Sequence, residues 1–322
     1  MKEKKNNTNG NNNAEKIFSV NPLKELTLPI GKLPRWLLEQ EELFGELTMQ
    51  ERKARGKQKQ NDLDTKVKFG DGANIDMFDL AIMFACYCEY RAGNEVISFK
   101  RLYKTLGGGD KLTAPMKKAL KRSVEKLMST PVTIRLAPVI VKETGAAKER
   151  VIRDNLLPCK LETLQINGRL TDGAIHLYDA PPIFKHSDLN SQIARCTAEL
   201  ISESLLRSTE NTISLAWYLL WRTVAIVGSN SPERKKRVKW LSSHIVFDTV
   251  FKICGLEPST RTQKFKVRQD CLKILDHFTA CGLIAGYETI EKNGAMYGLE
   301  LKLPKTPKKA ATNCSIENSD NL

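Results

Sequence analysis

The chain has 322 residues, a formal net charge of +14 and a pI near 9.3. Its hydrophobic fraction of 41% is that of a folded globular protein, and the length allows two domains with tails. No apolar run reaches the roughly 20 residues of a membrane-spanning helix, and the positive excess favours an anionic partner, above all nucleic acid.

The eight cysteines lack the paired spacing of a zinc site. Cys86, Cys271 and Cys281 lie among apolar residues at helical positions, so we expect buried free thiols. The first residues are polar Lys and Asn rather than a secretory signal. We therefore expect a cytoplasmic protein without disulfides, bound metal or other cofactor.

The two ends of the chain are polar and predict disordered tails at residues 1–17 and 304–322. Residues 18–70 form an arm and connector. The apolar stretch that begins at Leu26 predicts an extended segment against the first domain, followed by a brief helix from Trp36 to Phe44.

Residues 71–208 form the first predicted domain. Apolar spacing and capping residues predict three helices and one short strand in its first part. These are a helix capped by Asp76 and ending near 92–94, a strand at 95–97, a helix from Ser98 to Leu106, and a helix from Thr113 to about Met128 with Pro115 in its first turn. Four β-rich segments follow, at 132–136, 139–142, 156–166 and 174–178, with Asn167-Gly168 as a hairpin turn inside a loop of several residues.

Residues 209–303 repeat this order without obvious sequence identity. The predicted elements are a helix from Asn211 or Thr212 to 228–230, a helix from Ser242 or Ser243 to Cys254, a long helix from Ser259 or Thr260 to Gly282, and a hairpin of 283–289 with 296–301. Helix, helix, helix and then a hairpin is typical of a winged helix. The predicted fold class is therefore α+β, with two winged-helix domains in tandem.

The last helix of a helix-turn-helix unit lies in the major groove of DNA. In the second unit this helix has an apolar side formed by Val267, Cys271, Ile274, Leu275 and Phe278. Its opposite side carries residues whose donors and acceptors can read base edges or bind phosphate, although a solvated helix face also carries lysines. The candidate DNA contacts here are Arg261, Thr262, Lys264, Lys266, Gln269 and Lys273.

In the first unit, the corresponding helix places Lys118 and Arg122 opposite its apolar stripe. Residues 100–126 contain nine basic and two acidic residues, and residues 233–273 contain eleven basic and four acidic. The two windows together account for the whole positive excess, which favours DNA contact over an evenly charged surface. The candidate contacts in the first unit are Lys111, Thr113, Lys118, Lys121 and Arg122.

Two further segments are candidate phosphate contacts. One is the basic run Arg234, Lys235, Lys236 and Arg237, which is equally compatible with a plain charged loop. The other is Lys292, next to the turn of the second hairpin. Trp217 and Trp221, four residues apart, are interpreted as core anchors rather than as platforms for bases.

No sequence motif recommends catalysis. The chain has no phosphate-binding Gly-x-x-x-x-Gly-Lys-Ser/Thr loop, no His-x-His pair and no hydrolase signature. Gly107-Gly-Gly109 is interpreted as a helix stop. We therefore expect a protein that is not an enzyme.

Several segments resemble replication-initiator-like proteins of plasmids and integrative elements of Firmicutes. The similar segments are Leu106-Gly-Gly-Gly-Asp-Lys-Leu-Thr-Ala-Pro-Met-Lys, Leu127-Met-Ser-Thr-Pro-Val-Thr-Ile, Ala180-Pro-Pro-Ile-Phe-Lys, Phe247-Asp-Thr-Val and Ile284-Ala-Gly-Tyr287. The resemblance spans roughly Ile75 to Leu301, with a long insertion at 137–208 as a departure. It implies binding to repeated origin sites, melting of adjacent DNA and recruitment of the host initiator and replicative helicase, and it raises a homodimer as an oligomeric state.

The sequence leaves three hypotheses open. The first is a double-stranded DNA-binding initiator that acts at the origin repeats of a plasmid or mobile element. The second is a transcriptional regulator or partition protein that binds an operator on such an element. The third is an adaptor whose winged helices bind protein, with the basic charge incidental.

Overall fold

The computed structural model describes residues 21–30, 34, 66–69, 74–135, 139–140, 147–148, 151–190, 192–201, 205–229, 242–256, 258, 260–292 and 294–304. The predicted tails except for Pro304, the predicted helix from Trp36 to Phe44 and the basic run at 234–237 lie outside these residues. Among the described residues, no helix is long and apolar enough to cross a membrane.

The described elements alternate between helices and short strands. The helices are α1 (Met77–Arg91), α2 (Phe99–Thr105), α3 (Ala114–Ser129), α4 (Pro182–Leu189), α5 (Glu210–Ser229), α6 (Phe247–Ile253) and α7 (Arg261–Ala280). The strands are β1 (Glu25–Pro29), β2 (Lys66–Phe69), β3 (Val96–Ser98), β4 (Pro131–Arg135), β5 (Val139–Ile140), β6 (Ala147–Lys148), β7 (Val151–Asn155), β8 (Cys159–Ile166), β9 (Arg169–Leu177), β10 (Ile193–Thr197), β11 (His244–Val246), β12 (Gly286–Lys292) and β13 (Ala295–Lys302).

Two units of the same topology follow one another in the chain. In the first, α1, β3, α2 and α3 precede the hairpin β8–β9, and the antiparallel sheet has the order β3-β9-β8. In the second, α5, β11, α6 and α7 precede the hairpin β12–β13, and the sheet has the order β11-β13-β12. In both, the short strand pairs with the second strand of the hairpin. This is the order of a winged helix, and the predicted α+β class is confirmed.

Local capping explains why the predicted helices of the first unit begin where they do. Asp76 and Asp79 form a reciprocal capping box at the start of α1. Ser98 accepts the N–H of Arg101 at the start of α2, and Thr113 accepts the N–H of Met116 at the start of α3. Since these bonds join residues three apart, they are readable from the sequence alone.

The insertion between α3 and β8 builds further sheet. Strand β4 pairs with both β2 and β7, while β5 pairs with β6. Val132 and Ile134 of β4 face the core. After the first hairpin come α4 and β10, neither of which was predicted from the sequence.

The apolar arm adds one strand to this region. Strand β1 pairs antiparallel with β10, from Glu25 opposite Thr197 to Pro29 opposite Ile193. Leu26 and Leu28 are buried, and β1 packs against α1. The predicted extended arm is confirmed over these five residues.

Several predictions about element bounds are wrong. Strand β8 begins at Cys159 rather than at 156, and β9 begins at Arg169 rather than at 174. The loop of the first hairpin has two residues rather than several, because Asn167 and Gly168 both adopt positive φ, as a tight primed turn requires. Helix α5 begins at Glu210, after Thr209. The predicted helix from Ser242 or Ser243 begins only at Phe247, because 244–246 pair with β13 as strand β11. The strands of the second hairpin, β12 and β13, extend closer to the turn than the predicted strands 283–289 and 296–301.

The two units share one hydrophobic core. Helix α1 packs against α5, and the buried apolar residues of both units form a continuous cluster. Trp217 is fully buried, and the Nε1–H of Trp221 donates to the carbonyl of Pro29 at 2.8 Å. The prediction that both tryptophans are core anchors is confirmed, whereas the predicted domain limits stay predictions.

The described cysteines are free thiols. Six are buried, and burial raises the pKa of Cys88, Cys159 and Cys271 to about 12. The prediction is wrong only for Cys281, which is partly exposed because it lies at the C-terminal cap of α7.

Candidate nucleic-acid interface

Helix α7 occupies the place of a recognition helix in the second unit. The preceding helix α6 ends in a turn at Gly255, whose φ of +62° favours glycine. Thr260 then caps α7 in a capping box with Gln263. A short helix, a turn and a capped long helix are the elements of a helix-turn-helix.

The two faces of α7 differ in the way the sequence predicted. Cys271, Ile274, Leu275 and Phe278 are buried. On the opposite face Thr262, Lys266 and Lys273 are exposed and Gln269 is half-buried, while Arg261 and Lys264 are exposed in the first turn. Because Thr262, Lys266, Gln269 and Lys273 recur at four- and three-residue steps, these four predicted contacts lie along the free side of the helix. Lys264 lies in line with the buried Cys271 and is exposed because it belongs to the first turn.

Among the described residues, no carboxylate lies within ion-pair distance of Arg261, Lys264, Lys266 or Lys273. The acid within their reach is Asp270, whose pKa is raised by burial although Lys273 and Lys266 act to lower it. The free side of α7 therefore presents positive charge that an anionic partner can neutralise.

Two residues of α7 were missed by the sequence analysis. Arg268 lies with its guanidinium 5.4 Å from the centre of the Phe247 ring, a cation–π contact between α7 and α6. Phe265 is 61% exposed although it is a large apolar residue. The signal for Phe265 was its position three residues after Thr262 and four before Gln269, which places it on the free side of the helix.

Within the described residues, two of the predicted contacts near α3 form ion pairs with acidic side chains, unlike the predicted contacts of α7. Lys121 pairs with Glu125 one turn later, and Arg122 pairs with Glu210 at the start of α5. The Thr113 hydroxyl is engaged as the cap of α3. Lys111 and Lys118 are exposed, and no carboxylate of the described residues lies within ion-pair distance of them.

Other cations of the same sequence window are also used inside the unit. Arg101 pairs with the buried Glu89 at 2.6 Å, and Lys104 pairs with Asp110 at 2.6 Å. Lys126 pairs with the buried Asp79, and the Lys117 ammonium donates to the carbonyl of Thr171 in β9. The charge counted along residues 100–126 therefore overstates the positive charge that α3 offers to a partner. The second unit has the stronger candidate interface.

The two hairpins differ at their tips. Lys292 is exposed at the end of β12, with its ammonium 5.3 Å from the centre of the Tyr297 ring, as expected for a basic wing. The first hairpin instead exposes Leu164 and Ile166 close to its turn. The structure thus places a wing lysine in the same unit as α7.

The remaining predicted contacts, Arg234, Lys235, Lys236 and Arg237, lie outside the described residues. Within the ranges that the structure does describe, no three His, Cys, Asp or Glu side chains are grouped closely enough to hold a metal ion. The described side chains of the candidate interface are hydrogen-bond donors, an amide, cations and one aromatic ring.

No protein-family model matches the chain, and no curated protein matches it. Among solved structures it is similar to a crystal structure of domains 2 and 3 of RctB, with a TM-score of 0.39 and 13% identity over 74% of this chain and 87% of that one. A selenomethionine derivative of the same RctB domains gives a TM-score of 0.36 and 10% identity over 74% and 90% of the two chains. The resemblance of the sequence to plasmid initiators stays a prediction.

Proposed function

We infer that this chain binds double-stranded DNA and that α7 is the helix that reads the base sequence. The single observation that carries this proposal is the free side of α7, where Gln269 lies between Lys266 and Lys273 and neither lysine forms an ion pair with an acidic partner among the described residues. Lysines without such partners can release counterions from phosphates, and the amide of a glutamine can pair with both edge atoms of an adenine.

The first unit has a supporting part in this proposal. Lys111 and Lys118 are its available cations, and Arg122 becomes available only when it leaves Glu210. We expect α3 to add phosphate contacts that position the protein, while α7 supplies most of the sequence preference.

The resemblance to plasmid initiators supports a finer proposal, the initiation of replication at origin repeats. In that role the chain assists melting of the adjacent DNA and recruits the host initiator and helicase, and it carries out no reaction of its own. Two DNA-binding units in one chain can each bind one site of a target made of repeated sites. A homodimer would bring four such units to the same target.

The test of DNA binding uses the full chain and DNA fragments that tile the region upstream of its own gene. Gel shifts are run at two salt concentrations with an excess of random competitor DNA. We expect one or a few fragments to stay bound, with affinity about 10³-fold or more above that for random DNA. Equal binding to every fragment at low salt, or no binding, overturns the proposal of sequence-specific recognition.

A second experiment separates initiation from regulation. A small replicon carries the gene with its upstream region, and the gene is then deleted. If the chain is an initiator, the replicon is lost unless the protein is supplied from another molecule. If the replicon persists and only transcription from the upstream region changes, the initiator proposal is wrong and the regulator hypothesis takes its place.

A further inference from the structure

Phe265 is an exposed aromatic side chain in the middle of a basic surface. Its side chain is 61% exposed, whereas Phe247, Phe251 and Phe278 of the same unit are buried. Contact between such an apolar side chain and water is unfavourable, so its exposure lowers stability unless a partner covers it.

The position of Phe265 on α7 is shared with the residues proposed to read DNA. It follows Thr262 by three positions and precedes Gln269 by four, and residues at these spacings lie on one side of a helix. Lys264 and Lys266 are its neighbours in the chain, and both are exposed.

The positive charge around the Phe265 ring favours DNA over a second copy of the chain as the partner. A second copy of this face would bring lysine against lysine and arginine against arginine, which is repulsive. A DNA major groove instead offers phosphates to the cations. The methyl group of thymine is the apolar group that base edges present in that groove.

We propose that Phe265 packs against the C5-methyl group of a thymine and makes the protein specific for an A·T pair at that position. This inference rests on the proposed function and adds a residue to it. Gln269 reads a base through hydrogen bonds, and Phe265 reads a neighbouring base through an apolar contact that cytosine and uracil cannot supply.

The test needs a bound duplex, which is selected from random DNA with the full chain. Each thymine of that duplex is then replaced, one at a time, by deoxyuridine, which lacks only the methyl group. Dissociation constants are measured by fluorescence anisotropy for the wild type, Phe265→Ala and Phe265→Leu. Leu164→Ala, which shortens an exposed apolar side chain on the first hairpin, is the matched control.

At one or two thymines, we expect deoxyuridine to weaken binding by the wild type and by Leu164→Ala about 3–5-fold, the effect of one buried methyl group. Phe265→Ala binds the thymine duplex more weakly and shows no response to deoxyuridine at that position, while Phe265→Leu retains part of the response. Because Phe265 is exposed, both variants are expected to keep the melting temperature of the wild type.

Three results overturn the inference and can be told apart. If Phe265→Ala responds to deoxyuridine as the wild type does, another residue reads the methyl group. If sedimentation shows a dimer that Phe265→Ala abolishes, the ring contacts a second copy of the chain. If no duplex is selected at all, the proposed function fails and the assignment of Phe265 fails with it.

Discussion

The guanidinium of Arg122, on α3, forms an ion pair with the carboxylate of Glu210 at the start of α5, 88 residues later in the chain. The pair joins the candidate recognition helix of the first unit to the first helix of the second unit. Both side chains are partly exposed, at 64% and 43%, so an anionic ligand can compete for Arg122. The same contact neutralises a cation that the sequence had assigned to DNA.

Glu210→Gln should therefore strengthen DNA binding. The substitution removes an exposed ion pair worth about 0–1 kcal/mol, so the free energy of unfolding should change little. Because Arg122 no longer has a charged partner, the affinity of the variant for duplex DNA should rise by up to about 5-fold at low salt. Anisotropy with a random duplex at several salt concentrations measures the effect. Glu288→Gln is the control, because it frees Lys302 at the base of the second hairpin, far along the strand from its tip. An equal gain in both variants would show that net charge, rather than Arg122, is responsible.

Lys266→Ala and Lys273→Ala should weaken DNA binding and lower its salt dependence. Each lysine that contacts a phosphate contributes about 0.9 to the slope of log K against log salt, so each substitution should reduce the slope by about that amount. Lys302→Ala removes the same charge from a residue paired with Glu288 and should leave the slope nearly unchanged. A slope that is insensitive to Lys266 and Lys273 would exclude α7 as the DNA-binding helix.

Gln269→Ala tests sequence reading separately from charge. Loss of a bidentate contact to a base reduces the binding free energy for the recognised sequence by about 1–3 kcal/mol. Random DNA lacks the recognised base at the matching position, so binding to it should not change. We therefore expect weaker binding to the selected duplex, unchanged binding to random DNA and an unchanged salt slope. Selection repeated with the variant should then give a site with one relaxed position. A site identical to that of the wild type would assign the reading to another residue.

Trp221→Phe should destabilise the contact between the second unit and the N-terminal strand. The substitution leaves the buried Pro29 carbonyl without the indole N–H that it accepts at 2.8 Å, at a cost of about 1–3 kcal/mol in the free energy of unfolding. Urea unfolding followed by circular dichroism measures the loss. Tyr297→Phe removes a hydroxyl that makes no hydrogen bond to the described residues, and it should change stability by less than about 0.5 kcal/mol. Equal effects of the two changes would contradict the described packing of α5 on β1.

Alkylation by iodoacetamide at pH 8 should modify Cys281 before the buried cysteines of the folded chain. A thiol whose pKa is raised to about 12, such as Cys88, Cys159 or Cys271, is ionised to only about 10⁻⁴ at that pH, and burial also blocks access. Mass spectrometry of peptides from the Cys314→Ser variant, which removes the cysteine outside the described residues, gives the order of reaction. Urea should make the rates similar. Early modification of Cys271 would contradict the buried face of α7.

The sequence by itself predicted the helices of both units and the free side of α7. These features depend on residues three or four positions apart, such as Asp76 with Asp79, Ser98 with Arg101 and Lys266 with Gln269. The energetics of caps and amphipathic faces are local, and for that reason the start of α1, α2, α3 and α7 followed from the residue types alone. The hairpin turn at Asn167-Gly168 was local in the same sense.

Only the tertiary structure decided which cations are free and which strands pair. The fold brings Arg122 next to Glu210, and it brings Glu25 next to Thr197. The residues of each pair are far apart in the sequence, so no local sequence pattern predicts the contact. Strand β11 was missed because three residues gain their hydrogen bonds from β13, far along the chain. The spacing of Phe265 places it on the free side of α7, but its residue type is that of a core residue, and only the structure shows that the rest of the described chain leaves it exposed. Ion pairs, strand pairs and the exposure of a ring all depend on which residues are neighbours in space. Because such neighbours neutralise several cations near α3, most of the available positive charge of the two described recognition helices lies on α7.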